Sequence, residues 1–577
     1  MERPFSVKFY LRQSVRRLPA ALACGAVLPF TLLLFTPMDI YAGNKAEFLF
    51  TFGDIGGWLL LLTLAATVTS ALLLALLPRR VSAVLCAVLL WLGGMSVLQG
   101  MILNIGMQSL LGDGGGSGTS LWLYILDTAL WVITGVAAVL AALFAERLNW
   151  VRTVTGVLVV VLLGMQAVGS ISLFGTLFSR EDDAPVSYLS TEGLYEVAPG
   201  RNTVVFILDR FDYDYYRAVV DKEPDFFRPL TGFTLFDDNI SLYSRTYPAI
   251  GSMITGLAQE DAAGTPFAED ADTYFARAYS TSSFLQDMQA NGYSIRLYTG
   301  PYYGYRDAAP LAGIAENVDE AEGHHISNMH ELIKDMVALS FYRISPQVLK
   351  GTVKVTTAMF NSLVQYDGDD PAYAIDDAAV FRDLANQGLT VSNDGQENAF
   401  RFIHLNGCHS PHHLSKDGKY ARRGTVEEAT MGCFRLIYRY IDELKRLGLY
   451  EDATILITGD HPWGRTNAKE PAEPRLTPVF VKPSGVSEDP LRTSTAQVSQ
   501  ENNMQAFLVK SSGLQTKYNY GTSYLDVAEG QDISRHHIFT ISKNGSYAIL
   551  RYTVNGNGHD FANWEKTDSI PIGYLYR

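Results

Sequence analysis

Five almost uncharged apolar stretches near the start constrain this chain more than any other feature. Residues 18–38, 57–78, 81–103, 121–145 and 153–178 each run to about 20 residues or more, the length at which an α-helix crosses a hydrocarbon core of about 30 Å. Backbone polar groups inside lipid must be satisfied within the segment, so each stretch is expected as a helical span. Arg12, Arg16 and Arg17 precede the first span, Arg79 and Arg80 join the second to the third, and Arg147 and Arg152 join the fourth to the fifth. Basic short loops stay on the cytoplasmic side. The alternate loops carry Asp39, Glu47, Asp54 and the glycine-rich run 112–120. Five spans with this bias put everything after residue 178 outside the cytoplasm. A cleaved signal peptide is the other reading of the first span, with Ala42 as the small residue at its end, and it leaves the downstream orientation unchanged. Asp127 lies about six residues, or roughly 9 Å, inside the fourth span. It reads either as a functional intramembrane carboxylate or as one reaching back to the interface.

The remainder has a different composition. Of 46 Lys/Arg and 60 Asp/Glu, 11 and 7 fall in residues 1–180, which leaves 35 basic and 53 acidic residues beyond, together with all 11 histidines. An acidic half with no basic stripe argues against nucleic acid as a partner. After a tether over 179–200, apolar β-rich runs alternate with helical patterns: TVVFILD at 203–209, IRLYTG at 295–300, FRFIHLN at 400–406, ATILITGD at 453–460 and TPVFVKP at 477–483. Such alternation predicts an α/β domain over 201–577 with a largely parallel sheet covered on both faces. Sites in such folds gather at the carboxyl ends of the strands.

Two of those strands end in carboxylates. Asp460 is followed by His461, a side-by-side oxygen and nitrogen able to bind one divalent cation, although such a pair also occurs as a plain loop or cap. Asp209 closes VVFILD, where a lone Asp also serves as an N-cap. The third element is Thr246 in NISLYSRTYPAIGSMITG, at a turn into a helix with Pro248 in its first turn. A hydroxyl there faces free N–H groups and the positive helix end, which favour an attacking alkoxide and a bound phosphate; the plainer reading is an N-cap. Ser244, Ser252 and Thr255 compete, but only Thr246 has Pro two residues on. The fourth element is HLNGCHSPHH, which puts His404, His409, His412 and His413 on a loop that Pro411 keeps from starting as a helix. One or two of these are expected to touch a substrate. His324, His325, His330, His536, His537 and His559 have no comparable partner and read as structural or surface residues.

With these four elements in this order the chain resembles the alkaline-phosphatase and sulfatase superfamily. It looks most like the membrane-anchored branch of lipoteichoic-acid synthases and phosphoethanolamine transferases. The resemblance implies a five-helix transmembrane region over 1–178 and a sulfatase-like catalytic domain over 201–577 on the extracytoplasmic side of the cell membrane. It implies one divalent ion (Mn, Zn or Mg) on Asp209, Thr246, Asp460 and His461, with Thr246 as nucleophile and His409 as the substrate-contacting histidine. It further implies a phospholipid headgroup donor and an envelope glycan or lipid acceptor.

The chain also departs from the pattern. Sulfatases proper carry Cys or Ser at the nucleophile, oxidised to formylglycine, an aldehyde that threonine cannot form. The usual Gly after Asp-His is Pro462, the usual Ser-His-x-Asp reads Ser499-Gln500-Glu501-Asn502, and a second carboxylate after the first ligand is replaced by Arg210. These changes leave a ligand set for one metal and none for two. The expected reaction is headgroup transfer through a phospho-threonine intermediate. The alternatives are a phosphoesterase or phosphodiesterase hydrolase of the same superfamily and a non-catalytic sulfatase-like membrane sensor. Cys408 and Cys433, the two cysteines beyond the spans, either bridge or stay as buried thiols.

Overall fold

The computed structural model describes residues 7–572 except 46–47, 105–120, 145–148, 179–185, 261–263, 464–469, 544–545 and the single positions 302, 322, 354, 356, 362, 394, 411 and 423. Arg147, the glycine-rich run 112–120, Tyr302, Pro411 and the start of the tether therefore lie outside the described residues. The chain divides into two compact units, one of residues 1–183 with 324–365, the other of 184–323 with 366–577.

In the first unit five helices have the length and apolarity to cross a membrane: Ser14–Gly43, Phe52–Leu76, Arg79–Leu103, Leu121–Phe144 and Thr153–Leu177. Their outward faces carry large exposed apolar side chains such as Leu61, Ile133, Val160 and Ile171, as lipid-facing surfaces do. Residues 324–365, expected within the second domain, cluster with this unit instead. Their helix Met329–Ile344 buries Leu332, Ile333, Met336 and Leu339 in a cluster with Met38, Tyr41, Phe50, Ile55 and Leu59. Asp127 resolves toward a structural role: its carboxylate accepts the backbone N–H of Gln347 at 2.8 Å.

The second unit is built on a seven-stranded sheet. Its strands are β1 (Asn202–Leu208), β2 (Thr234–Phe236), β3 (Tyr293–Tyr298), β4 (Asn398–Leu405), β5 (Thr454–Thr458), β6 (Val479–Lys482) and β7 (Arg492–Ser494), in the order β7-β2-β6-β5-β1-β4-β3. The block β3-β4-β1-β5 is parallel. β6 alone is reversed, antiparallel to β5 and to β2, and β7 runs parallel to β2, so the sheet is largely parallel, as expected, with one antiparallel strand. β1 is buried along its whole length because successive side chains enter cores on opposite faces. Val205 and Ile207 pack with Ile250 and Ile254 of helix α1 (Thr246–Thr255) and with Phe507 and Leu508 of the later helix Gln500–Ser511. Val204, Phe206 and Leu208 pack with Phe434, Ile437 and Ile441 of the helix Val426–Leu447. Each of these fully buried large side chains contributes about 1.5–3 kcal/mol, so two filled faces hold the central strands and the carboxylates at their ends. A capping box, Thr425 with Glu428, starts the Val426–Leu447 helix, and Gly448 in the left-handed region ends it, as capping chemistry predicts.

Beyond the sheet, three antiparallel strands, β8 (Arg535–Lys543), β9 (Ser546–Val554) and β10 (Trp564–Ile572), form a second small sheet. Its first strand lies along the segment that leads to Thr246: Ile538 donates to the Leu242 carbonyl at 2.7 Å, and Ser244 donates to the Ile538 carbonyl at 3.1 Å.

Candidate metal centre and nucleophile

β1 and β5 are adjacent and parallel, with Ile207 opposite Thr458. Two residues further along each chain, Asp209 and Asp460 therefore emerge side by side. Gly459 permits this, since a Cβ there would lie 2.9 Å from the backbone nitrogen and oxygen of Phe211. Arg210 adopts a left-handed backbone, φ 60°, uncommon for a residue with a Cβ. Its N–H donates to Asp460 Oδ1 at 2.9 Å, and the His461 N–H donates to the same oxygen at 2.8 Å. One carboxylate oxygen is thus held by backbone, and the other, Oδ2, is buried with no hydrogen-bond partner, as is Oδ1 of Asp209.

His461 is oriented in the same manner. Its Nδ1 lies 2.7 Å from the Pro462 carbonyl oxygen, which accepts a hydrogen bond from Nδ1–H and leaves the Nε2 lone pair for the site. Nε2 is 3.5 Å from Asp460 Oδ2, 3.8 Å from Asp209 Oδ1 and 3.3 Å from Thr246 Oγ1. A set of ligand atoms from Asp209, Asp460 and His461 lies within 4.8 Å of one another. All four expected residues thus come together in a buried site.

The electrostatics of this cluster suit a cation. Burial and the neighbouring Asp460 charge push the Asp209 carboxyl well above its usual range, and burial also raises Asp460. Burial, with Arg210 next in effect, lowers His461 to about 3. Two carboxylates that repel each other, unpaired oxygens and a neutral imidazole are the donor set a divalent ion relieves. The residues present therefore fit one metal ion.

Thr246 is delivered differently from the simple helix entry expected. Tyr247 and Pro248 have non-helical backbone angles and are joined by a cis peptide bond. The regular helix thus begins after them, and the hydroxyl is placed by this kink together with the β8 contact described above.

His409 sits on a loop zipped to Asp209. The Cys408 N–H donates to the Asp209 carbonyl at 2.8 Å and the Asp209 N–H donates to that of Leu405 at 3.1 Å. Burial, followed by the Arg210 charge, lowers His409 to about 3. His404 is fully buried beneath it, Nδ1 at 3.0 Å from Thr299 Oγ1. His413 stacks on exposed Tyr420.

Several contributors carried no signal in the sequence. Asp377 accepts the N–H groups of Asn406 at 2.7 Å and Gly407 at 2.9 Å, holding the turn that presents His409. Gln500, at the position where relatives carry histidine, donates to the Gly459 carbonyl at 2.6 Å and so braces the strand end behind Asp460. His537, read as structural or surface, is fully buried, with Nδ1 at 2.7 Å from the Ser241 carbonyl oxygen. Arg210 and Arg245 both act electrostatically on His461, and the Nε atom of each is buried without a hydrogen-bond partner. Cys408 and Cys433 are free thiols; one lies 3.1 Å from Thr430 Oγ1, and the other donates to Asp377 at 3.1 Å.

Two carboxylates and a histidine at adjacent strand ends, with a buried hydroxyl beside them, thus make up the candidate site. The sulfatase family model matches residues 201–509, and the chain belongs to the sulfatase family. The match supports an enzyme of that family. Similar solved structures include the lipoteichoic acid synthase LtaP from Listeria monocytogenes, at 12% identity over 66% of this chain and 90% of that one, TM-score 0.34. A protein in the alkaline phosphatase superfamily from Vibrio parahaemolyticus is 11% identical over 66% and 84%, TM-score 0.35. The PsFucS1 sulfatase from Pseudoalteromonas sp. is 11% identical over 65% and 82%, TM-score 0.39. No curated protein matches the chain.

Proposed function

We propose that the protein transfers a phosphoryl-linked headgroup, of the phosphoglycerol or phosphoethanolamine type, from a membrane lipid to an envelope glycan or lipid. The observation that carries this reading is the Thr246 hydroxyl 3.3 Å from His461 Nε2, in one cluster with two buried carboxylate oxygens that have no hydrogen-bond partner. Threonine cannot become formylglycine, so a sulfatase-family site built around it is read as phosphoryl chemistry.

Asp209, Asp460, His461 and Thr246 would hold one divalent ion, which when bound lowers the pKa of the hydroxyl and polarises a phosphoryl oxygen. Thr246 Oγ1 attacks phosphorus as the bond from phosphorus to the lipid oxygen breaks, giving phospho-threonine and a neutral lipid alcohol. An acceptor hydroxyl then attacks the same phosphorus and releases Thr246. His409, kept neutral by burial, donates its N–H to a non-bridging oxygen and stabilises the charge there, and the leaving oxygen takes its proton from water. Arg210 and Arg245 add positive charge for an anionic substrate. Five membrane spans keep the domain at a surface rich in phospholipid, which raises the effective concentration of a lipid donor. We place this domain on the extracytoplasmic side, on the strength of the arginines flanking the spans.

The test is to incubate the full-length protein in vesicles with headgroup-labelled phospholipid and to follow the label. Label in a glycan or second lipid, lost in Thr246→Ala and with chelator, is expected. Release to water alone makes the enzyme a hydrolase. No turnover, together with no bound cation in the purified protein, makes it a sensor.

A further inference from the structure

Residues 324–365 lie within the second half in sequence and join the helical unit. Between the helix Met329–Ile344 and the short helix Gln347–Lys350, Ser345 and Pro346 are extended. The position of this turn is set by Asp127, six residues into the span Leu121–Phe144, whose carboxylate accepts the Gln347 N–H at 2.8 Å. At helical rise that lies about 9 Å inside the span. The span residues around it, Trp122, Ile125 and Leu126, are 69%, 50% and 51% exposed.

Non-helical backbone at such depth survives only if the protein itself satisfies its polar groups, and here side chains and backbone supply partners for several of them. Lys350 Nζ donates to the carbonyls of Tyr342 at 2.5 Å and Arg343 at 3.2 Å. Asn104 also donates to the Arg343 carbonyl, at 2.7 Å, and Ser345 N–H donates to that of Phe341 at 2.9 Å. The Arg343 guanidinium is paired with Asp39 at 2.6 Å. Flanking the same turn, Phe341, Val348 and Leu349 are large apolar side chains 37%, 46% and 40% exposed.

We infer that residues 341–350 form a re-entrant element that dips into the hydrocarbon of the bilayer, with phospholipid acyl chains against Phe341, Val348 and Leu349. The span carboxylate Asp127 then serves to anchor this element rather than to process substrate. Chain leaves the second unit at Gly323 and returns at Tyr366, so the element adds a second membrane tie to the one after the fifth span.

The inference rests on the membrane reading of the five helices, and the experiment separates the two. In a Cys86→Ala background, Leu349→Cys is spin-labelled in the full-length protein in phospholipid nanodiscs, with Ile133→Cys on the span face and Lys416→Cys on the water-exposed domain surface as references. The accessibility of each label to oxygen is compared with that to a water-soluble nickel complex. A ratio at position 349 matching Ile133, severalfold above Lys416, is expected; Val348→Cys replaces it if the first variant does not fold. A ratio matching Lys416 overturns the inference while Ile133 keeps the membrane reading intact. A label at 349 broadened by a second label, independent of dilution with lipid, overturns it in favour of contact between copies. A water-like Ile133 refutes the membrane reading itself.

Discussion

Thr246 Oγ1 stands 3.3 Å from His461 Nε2, while the opposite ring nitrogen of His461 is held 2.7 Å from the Pro462 carbonyl. Pro462 replaces the glycine usual after Asp-His, yet only its carbonyl is used, and a proline carbonyl accepts as well as any other. The substitution therefore leaves the tautomer and the aim of the ring intact.

This geometry makes Thr246 the most exposed point of the functional reading. Thr246→Ala is expected to lower headgroup transfer by three orders of magnitude or more, on the order of 4 kcal/mol of barrier, with thermal unfolding changed little. Thr246→Ser restores part of the rate by keeping the hydroxyl. A radiolabel retained on wild-type protein after a donor-only incubation, and absent from the alanine variant, checks the covalent intermediate.

Asp460 has a structural side, Oδ1 on two backbone N–H groups, and a vacant side, Oδ2. Asp460→Asn keeps an oxygen for the backbone and removes the charge. Bound metal measured by elemental analysis of the purified protein is expected to fall from about one equivalent to near zero, with activity lost in step. Retention of metal in this variant counts against the ligand assignment.

Asp377 reaches the Asn406-Gly407 turn from the start of its own helix, and Gly407 has φ +60° with a Cβ position 2.6 Å from the Asp209 nitrogen. Asp377→Asn leaves one acceptor where two N–H groups bind, so a loss of about 1–3 kcal/mol in stability is expected. A fall in kcat larger than any change in KM is expected with it, because the turn carries His409. Gly407→Ala introduces both strain and overlap and should be the more damaging of the two. Calorimetry alongside steady-state kinetics reads both effects.

His537 supplies a pH prediction. Burial lowers it to about 4 from an ordinary 6.5, so between those values the unfolded chain binds more protons than the folded one, and stability rises with pH across that window. Acidification from pH 7 toward 4 should lower Tm, and His537→Asn, whose amide N–H can still meet the Ser241 carbonyl, should flatten that dependence. A wild-type Tm constant from pH 7 to 4.5 contradicts the assignment.

Much was legible in the sequence because the physics behind it is local. Span length, strand periodicity and the carboxylates closing TVVFILD and ATILITGD depend only on neighbours along the chain. Asp209, Asp460, His461 and Thr246 could thus be named as candidates from strand ends and one proline. The antiparallel turn of β6 was not legible, since a fully buried run of apolar residues reads the same in either direction.

What the sequence determined by itself was five apolar helices, an α/β domain and the four residues of a candidate site. Only tertiary structure decided that Asp377 holds a turn 29 residues away, that Gln500 braces Gly459, and that 324–365 returns to the helices. The reason lies in how backbone polar groups are satisfied. A buried N–H takes whichever acceptor the fold brings within about 3 Å, and no spacing along the chain records which distant carboxylate that will be.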